Sequence, residues 1–435
     1  MESVLPARLG RSFRWLAGSS WVSNIGDGVI VAAGPLLVAS ETRDPFLVAM
    51  AWTLQFLPWL VFGLLAGVVA DRVDRRALIT VADICRAVVL AVLVTTVVTD
   101  EVNIAVVLGA VFLLGIGETF ADTTTATLLP MLVDKKDLGL ANARLIAGTV
   151  TLNQLAGPPI GALLFGLGRP WPFAVQAVCV LASIALVRRV RLPAHGRRHV
   201  PGDGSPAPSV RRDVAEGLRW LWQHSAVRTL TVTIVTFNVT FGAAWSVLVL
   251  YSIERLDLGS VGFGLLTTAM ACGGVVATFG YGWLERHLSL AVLMRGGLVL
   301  ETLTHLGLAL TTVPAVALVI MFVFGAHAFV WGTISSAVRQ RAVPTHVQGR
   351  VQSVYMIGVT GGIVVGSVLG GLIAGRWGVT GPFWFAFVGS AVILVLLWRQ
   401  LAHIAHADEE ALAVSARDEA EQEATSIPGT GETRG

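Results

Sequence analysis

Lysine is almost missing from this chain of 435 residues: Lys135 and Lys136, adjacent in "VDKKDL", are the only two. No glycine-rich loop precedes them, so a phosphate-binding loop is absent and ATP hydrolysis by this chain is excluded. HExxH, CxxC and GxSxG are absent as well, and with them the common signatures of metallopeptidases, dithiol redox proteins and serine hydrolases. Neither an enzyme, a cofactor nor a metal site is expected. The three cysteines, Cys85, Cys179 and Cys272, lie far apart and read as small buried apolar residues rather than a disulfide framework or a metal site. His403 and His406 beside Asp408 and Glu409 read as a solvated tail. Charge is scarce too, at 14% of residues, where soluble domains carry about a quarter.

What is present is apolar sequence, 54% of the chain, with a mean hydropathy of +0.73. About 17 to 25 apolar residues span a bilayer as a helix. Such runs recur at 15–39, 46–70, 77–98, 104–128, 144–167, 172–187, 229–251, 260–283, 288–311, 313–337, 352–375 and 382–399. The chain is therefore expected to be an all-α membrane protein of twelve transmembrane helices, with the lipid bilayer as its main partner.

The net charge of +3 hides an asymmetry, because eight of the 28 acidic residues but only two of the 31 basic ones fall in the last segment, 403–435. A basic body raises the question of nucleic acid, but the positions of the bases exclude it. They cluster in alternate loops: Arg8, Arg11 and Arg14, then Arg72, Arg75 and Arg76, then Lys135 and Lys136, then Arg188 to Arg228, then Arg286, then Arg339, Arg341 and Arg350, then Arg399. The intervening loops hold Arg43, Arg169, Arg255 and Arg376 singly. The positive-inside rule then places both termini in the cytoplasm of a multi-pass protein of the inner membrane, in agreement with an even number of spans. The N-terminal stretch up to "VAS" has features of a cleaved signal peptide. It is long for one and is broken by Asn24, Asp27 and Pro35, and its removal would leave eleven spans.

The chain repeats itself. "WPFAVQAVCVLASIALVRR" from Trp171 and "GPFWFAFVGSAVILVLLWRQ" from Gly381 are similar segments about 210 residues apart, and "ARLIAGTVTLNQLAGPPIGALL" corresponds to "SVYMIGVTGGIVVGSVLGGLI" at nearly the same offset. Parallel repeats of six spans build a binding site at the interface of two halves near the bilayer midplane in many transporters. The expected division is a first half over 1–190, a cytoplasmic linker with an amphipathic surface helix over 191–228, a second half over 229–400 and a disordered acidic tail over 401–435.

One loop stands out. Directly after 26 uncharged residues from Pro45 to Ala70, "GVVADRVDRRALI" places five charges in the six positions from Asp71 to Arg76. An anchor obeying the positive-inside rule needs the arginines but neither Asp71 nor Gly67. The stretch resembles the signature loop of the major facilitator superfamily, which runs glycine, three residues, aspartate, a basic residue, any residue, glycine and two basic residues. Gly67, Asp71, Arg72, Arg75 and Arg76 match, and Asp74 replaces the second glycine, a substitution that bears on the turn although aspartate tolerates turns. The resemblance implies the major facilitator fold, two six-helix halves in a single working chain, with this loop as a cytoplasmic latch that the transport cycle makes and breaks. Further segments, "SNIGDGVIVAAGPLLVAS", "GETFADTTTATLLPMLVDKKDLGLANARL" and "RAVPTHVQGRVQS", resemble the drug-efflux branch that includes macrolide exporters and the enterobactin exporter. The antiporter pattern of the fifth span is partly present: Gly157, Pro158 and Gly161 match, Asn153 stands at a usual glycine, and Ala162 follows Gly161.

Ionisable residues at membrane depth are costly and normally face a cavity or a partner. Asp27 in the first span, and Glu118 with Asp122 one turn apart on one face of the fourth, are candidates for proton coupling or substrate binding. Arg86 in the third span, with Asp83 one turn before it, is the partner that would lock a carboxylate instead. In the second half Glu301 and His305 are four apart and His327 lies in the next span, arranged either to relay protons or to hydrogen-bond across helices. Asn153, Gln154 and Asn238 either line the cavity or bridge helices. Gly63 with Gly67, Gly157 with Gly161, and Gly366 with Gly370 are spaced for close helix packing.

The resemblance implies a secondary carrier exchanging protons for hydrophobic or amphipathic small molecules such as antibiotics. Export of one endogenous compound such as a siderophore, and proton-coupled uptake, remain open alternatives. A non-transporting membrane enzyme would need a polar cluster at one interface, and a sensor would need a folded soluble domain; the sequence offers neither.

Overall fold

The computed structural model describes residues 6–191, 210–344 and 347–400. The acidic tail expected over 401–435 and residues 192–209 of the expected linker lie outside them. Helices α1 (Arg11–Glu41), α2 (Pro45–Arg72), α3 (Arg75–Val98) and α4 (Ile104–Leu132) come first. Then α5 (Leu138–Gly148), a π-helical turn (Thr149–Ala156) and α6 (Gly157–Leu167) run on without a break, and α7 (Trp171–Val187) follows. After α8 (Val210–Gln223) come α9 (Ser225–Trp245), the short α10 (Leu248–Leu250), α11 (Ser260–His287), α12 (Leu290–Leu310), α13 (Pro314–Ala342) and α14 (Gln348–Trp377). The last helix, α15, covers Gly381–Gln400.

Ten helical stretches among the described residues are long and apolar enough to cross a membrane. The 17-residue α7 and the 21-residue α12, which carries Arg295 and Glu301, supply the other two of the expected twelve. Side-chain caps set several starts: Asp44, Asp74, Asn103 and Ser289 each accept from a backbone N–H in the first turn of α2, α3, α4 and α12. Asp74 resolves the departure from the signature loop. It sits in the extended region (φ −62°, ψ 112°) and caps α3 by accepting from the Ala77 N–H at 2.8 Å, so this turn has no need of a glycine.

The fifth span breaks its α-helical pattern for a chemical reason. Pro158 and Pro159 lack the N–H groups that the carbonyls of Gln154 and Leu155 would use in an α-helix, and the chain widens into the π turn just before them. Gly28 of α1 backs onto Asn153 and Gly157 there, and Gly161 meets the backbone of Val29. In the second half Gly366 and Gly370 press against Val239 and Ala243 of α9 in the corresponding way. Gly63 and Gly67 differ: Gly63 has open space where a Cβ would stand, and Gly67 meets only Thr123 Cγ2 at 4.0 Å.

The two halves meet through α2 with α14 and through α6 with α11. Thr53 Oγ1 lies 2.7 Å from Ser367 Oγ, Gly371 backs onto Phe46 and Ala49, and Gly264 onto Ala162. These contacts lie toward the face opposite the arginine-rich loops, where the bundle is closed. α8 packs on its own half: Leu221 joins Val227, Val343, Val347 and Val351, and Arg350 pairs with Glu216 at 2.7 Å. Its Leu218 and Trp222 remain exposed. The cysteines correct one expectation. Cys85 and Cys272 are exposed on the outer surfaces of α3 and α11 and Cys179 is half-buried; a thiol is apolar enough to face lipid at little cost.

The glycines give a direct test. Gly161→Leu forces a side chain into the α1 backbone and is expected to destabilise the protein by about 1–3 kcal/mol, seen as a lowered unfolding temperature in detergent. Gly63→Ala, with space around it, is expected to leave that temperature unchanged.

Candidate functional site

A polar cluster sits in the apolar interior of the first half. Arg86, 1% exposed, pairs with Asp27 of α1 and with Asp83 one turn back on α3, the latter at 3.0 Å. The same guanidinium donates to Ser23 Oγ at 3.1 Å, and Ser23 donates to Asp27 Oδ2 at 3.1 Å. Gln176 of α7 donates to Asp27 Oδ1 at 3.1 Å. Ser183 donates to Asp83 Oδ2 at 2.9 Å and exchanges a hydrogen bond with Ser19 at 2.8 Å. The stem of Arg86 lies flat on Gly117 of α4, where any side chain would collide with it. α1, α3, α4 and α7 are thus tied to one cation.

Glu118 and Asp122, half-buried on α4, lie within electrostatic reach of Arg86 and of Asp27 but form no ion pair with the arginine. Asn153, on the π turn, stands beside Glu118. The structure therefore gathers the three acidic candidates of the first half around Arg86 and divides them. Asp27 is held by the guanidinium, and the α4 pair stands off it.

In the second half, Glu301 accepts from both histidines: Nε2 of His305 and Nε2 of His327 each lie 3.2 Å from one of its oxygens. The i,i+4 spacing made the first contact legible in sequence, while His327 arrives from α13 through helix packing. His305 is fully buried, its Nδ1 without a partner, and the Trp245 ring meets it edge-on at 6.0 Å.

Two cavities adjoin these clusters. One of about 380 Å³ lies within the second half, with Glu301, His327, Asn238, Phe237, Trp331 and Tyr355 in its wall. The other, about 330 Å³, lies between the halves and is lined by Asn153, Gln154, Trp52, Phe56, Phe241 and Trp245. Phe241 and Met270 border both, so the two adjoin across the interface. Asn238 also donates back to Ile234 O at 2.8 Å.

The signature loop keeps its contacts within one half. Arg75 pairs with Asp71 at 2.9 Å and reaches Thr127 Oγ1 and Met131 Sδ at 3.1 Å, and Arg76 donates to Val190 O at 3.2 Å. Arg72 and Gly67 lie at the end of α2. Sequence reasoning did not pick out Ser19, Ser23, Gln176 and Ser183; the available signal was a lone amide and three hydroxyls inside otherwise apolar spans. Nor did it single out Gly117 or the aromatic wall of Phe237, Trp331 and Tyr355. Among the described residues no group of three or more His, Cys, Asp and Glu is placed to hold a metal ion.

A family model, described as transmembrane secretion effector, matches residues 4–427. The chain belongs to this family of the major facilitator superfamily. It is similar to the multidrug efflux pump Tap of Mycolicibacterium fortuitum, 28% identical over 82% of this chain and 88% of that protein. It is also similar to macrolide efflux protein A of Streptococcus pyogenes, 24% identical over 86% and 92% of the two, and to the enterobactin exporter EntS of Shigella boydii, 24% identical over 89% and 92%. Among solved structures, the nucleoside transporter NupG superimposes with a TM-score of 0.69 at 11% identity, over 90% of this chain and all of that one. A bacterial homologue of the iron transporter ferroportin, in an inward-facing state, does so with a TM-score of 0.67 at 15% identity, over 91% and 98%. The structural likenesses show a major facilitator fold, and the family makes the chain a non-enzymatic membrane transporter of small molecules.

Removing one partner of a buried ion pair leaves an uncompensated charge. Arg86→Gln is expected to cost about 3–5 kcal/mol, measured by thermal unfolding of the purified protein. The triple variant Arg86→Gln/Asp27→Asn/Asp83→Asn is expected to recover part of that loss.

Proposed function

We propose that this transporter expels hydrophobic or amphipathic small molecules from the cytoplasm in exchange for protons. One observation carries the reading: four carboxylates, Asp27, Asp83, Glu118 and Asp122, surround a single arginine in the interior of the first half. Were all four ionised, the cluster would carry three uncompensated negative charges at membrane depth, where even one is costly. Protons or a cationic substrate have to supply the missing positive charge, and competition between the two is the physical basis of exchange. Asp27 and Asp83 are held by Arg86 and keep the four helices together. Glu118 and Asp122 lack that clamp, and Glu118 connects through Asn153 to the cavity between the halves, so the α4 pair is the part that cycles.

The remaining features fit the same scheme. Apolar and aromatic walls suit hydrophobic substrates better than strongly anionic ones, and the names of the similar pumps support outward transport. The positive-inside rule puts the arginine-rich face and both termini in the cytoplasm, so this conformation is closed to the outside. The halves correspond to 1–190 and 229–400, and they rock about the cavity. In the state seen here Asp71 and Arg75 satisfy each other on the first half. In the alternate state the cytoplasmic ends of α2 and α14 close, Gly67 comes into use as a packing surface, and the Asp71 loop engages across the interface.

The test is accumulation of hydrophobic dyes and antibiotics in pump-deficient bacteria expressing the chain, with and without an uncoupler. The expected result is lower accumulation that the uncoupler abolishes. Glu118→Gln should lose the effect at normal expression, whereas Asp27→Asn should first reduce the amount of folded protein. Unchanged accumulation for every compound, with the protein present in the membrane, would sink the broad efflux reading.

A further inference from the structure

We propose that an arginine-lined cleft on the lipid-facing side of the first half binds the phosphate group of an anionic phospholipid. The cleft, about 560 Å³, lies where the start of α1, the start of α3 and the end of α7 converge, and its wall carries Arg11, Arg76, Arg188, Arg189 and Arg191 with Trp15. No carboxylate is part of this wall among the described residues. Arg76 donates to the carbonyl of Val190, and Arg189 lies over the Trp15 ring at 4.9 Å. Arg11 and Arg188 have no ion pair or side-chain hydrogen bond among the described residues. Of the two acids near this end of α3, Asp71 is taken by Arg75 and Asp74 caps the helix by accepting from the Ala77 N–H.

Five guanidiniums crowded with no acid among the described wall residues repel one another, and their planar forks match the oxygens of a phosphate. The opposite face is built differently. Arg169 pairs there with Glu41, and Arg255 donates to the carbonyls of Thr311 and Leu310 at 3.2 Å. Positive-inside anchoring asks only for bases near the surface; it does not ask for five in one concave site that three helices form together.

The occupant is a lipid because of what continues from the cleft. From its arginine end α3 exposes Val81, Ile84 and Val88, and the adjacent α7 exposes Leu181 and Val178. α3 and α7 pack side by side, so one apolar strip leads from the arginines into the hydrocarbon, and Trp15 stands at the level where indoles favour the interface. A headgroup in the cleft with its chains along α3 and α7 uses both parts, and anionic lipid surfaces attract arginine clusters of this kind. A soluble phosphate would use only the first.

The experiment measures thermal unfolding of the purified full-length protein as phosphatidylglycerol, phosphatidylcholine or glycerol 3-phosphate is added, with native mass spectrometry counting retained lipid. Phosphatidylglycerol is expected to raise the unfolding temperature and stay bound, while the other two have little effect. Arg11→Gln/Arg188→Gln is expected to weaken the phosphatidylglycerol effect roughly tenfold or more in apparent affinity. Its unfolding temperature without added lipid should be unchanged, because neither side chain loses a partner among the described residues. Arg219→Gln/Arg286→Gln, which removes the same charge outside the cleft, is expected to keep the wild-type affinity. Equal stabilisation by phosphatidylcholine, an equal effect of glycerol 3-phosphate, or equal weakening in both double variants would each overturn the proposal.

Discussion

A guanidinium buried in a helical bundle constrains everything packed around it. Arg86 has to be compensated where it sits, and the compensation comes from Asp27 on α1 and Asp83 on α3 itself, with Ser23 accepting from the guanidinium and Gln176 donating to Asp27. Its stem needs the bare surface of Gly117 on α4. Four of the six spans of the first half are fixed by one side chain, and the energetic logic is that of a buried pair: costly to form, and more costly to break on one side only. Because the pair consumes two carboxylates, the two that remain on α4 belong to the same electrostatic system without being locked in it.

The second half solves the corresponding problem without arginine. Glu301 is held by two histidines in place of a guanidinium. Around it stand aromatic rings rather than carboxylates. The halves share an ancestry-like repeat in helix order and in glycine packing, Gly157 and Gly161 against α1, Gly366 and Gly370 against α9, yet their interiors are chemically different. One is a charge cluster and the other an aromatic chamber, and the cavity between the halves takes Asn153 and Gln154 from the first and Phe241 and Trp245 from the second.

Much of the fold was legible because length and hydropathy act on each helix separately: the expected runs and the observed helices coincide to within a few residues, apart from helix ends that extend past the apolar core and the run 229–251, where α9 stops at Trp245 and the short α10 follows. The i,i+3 and i,i+4 pairs, Asp83 with Arg86 and Glu301 with His305, were readable for the same reason. Contacts between helices were not. Nothing in one sequence says that Gln176 reaches Asp27, that His327 reaches Glu301, or that Gly63 faces open space while Gly161 does not. The cysteines were misjudged because an apolar run does not reveal which of its faces meets lipid. The fit of Asp74 into the signature turn was hidden until its extended backbone and its bond to Ala77 were seen.

The division of labour among the acids is the central claim, and infrared difference spectroscopy between high and low pH tests it most directly, by watching carboxylic-acid carbonyl bands in the purified transporter. The account predicts that the band appearing on acidification loses intensity in Glu118→Gln and in Asp122→Asn and persists in Asp27→Asn. A band that survives both α4 substitutions and vanishes with Asp27 would contradict it, placing the exchangeable proton on the residue that Arg86 holds.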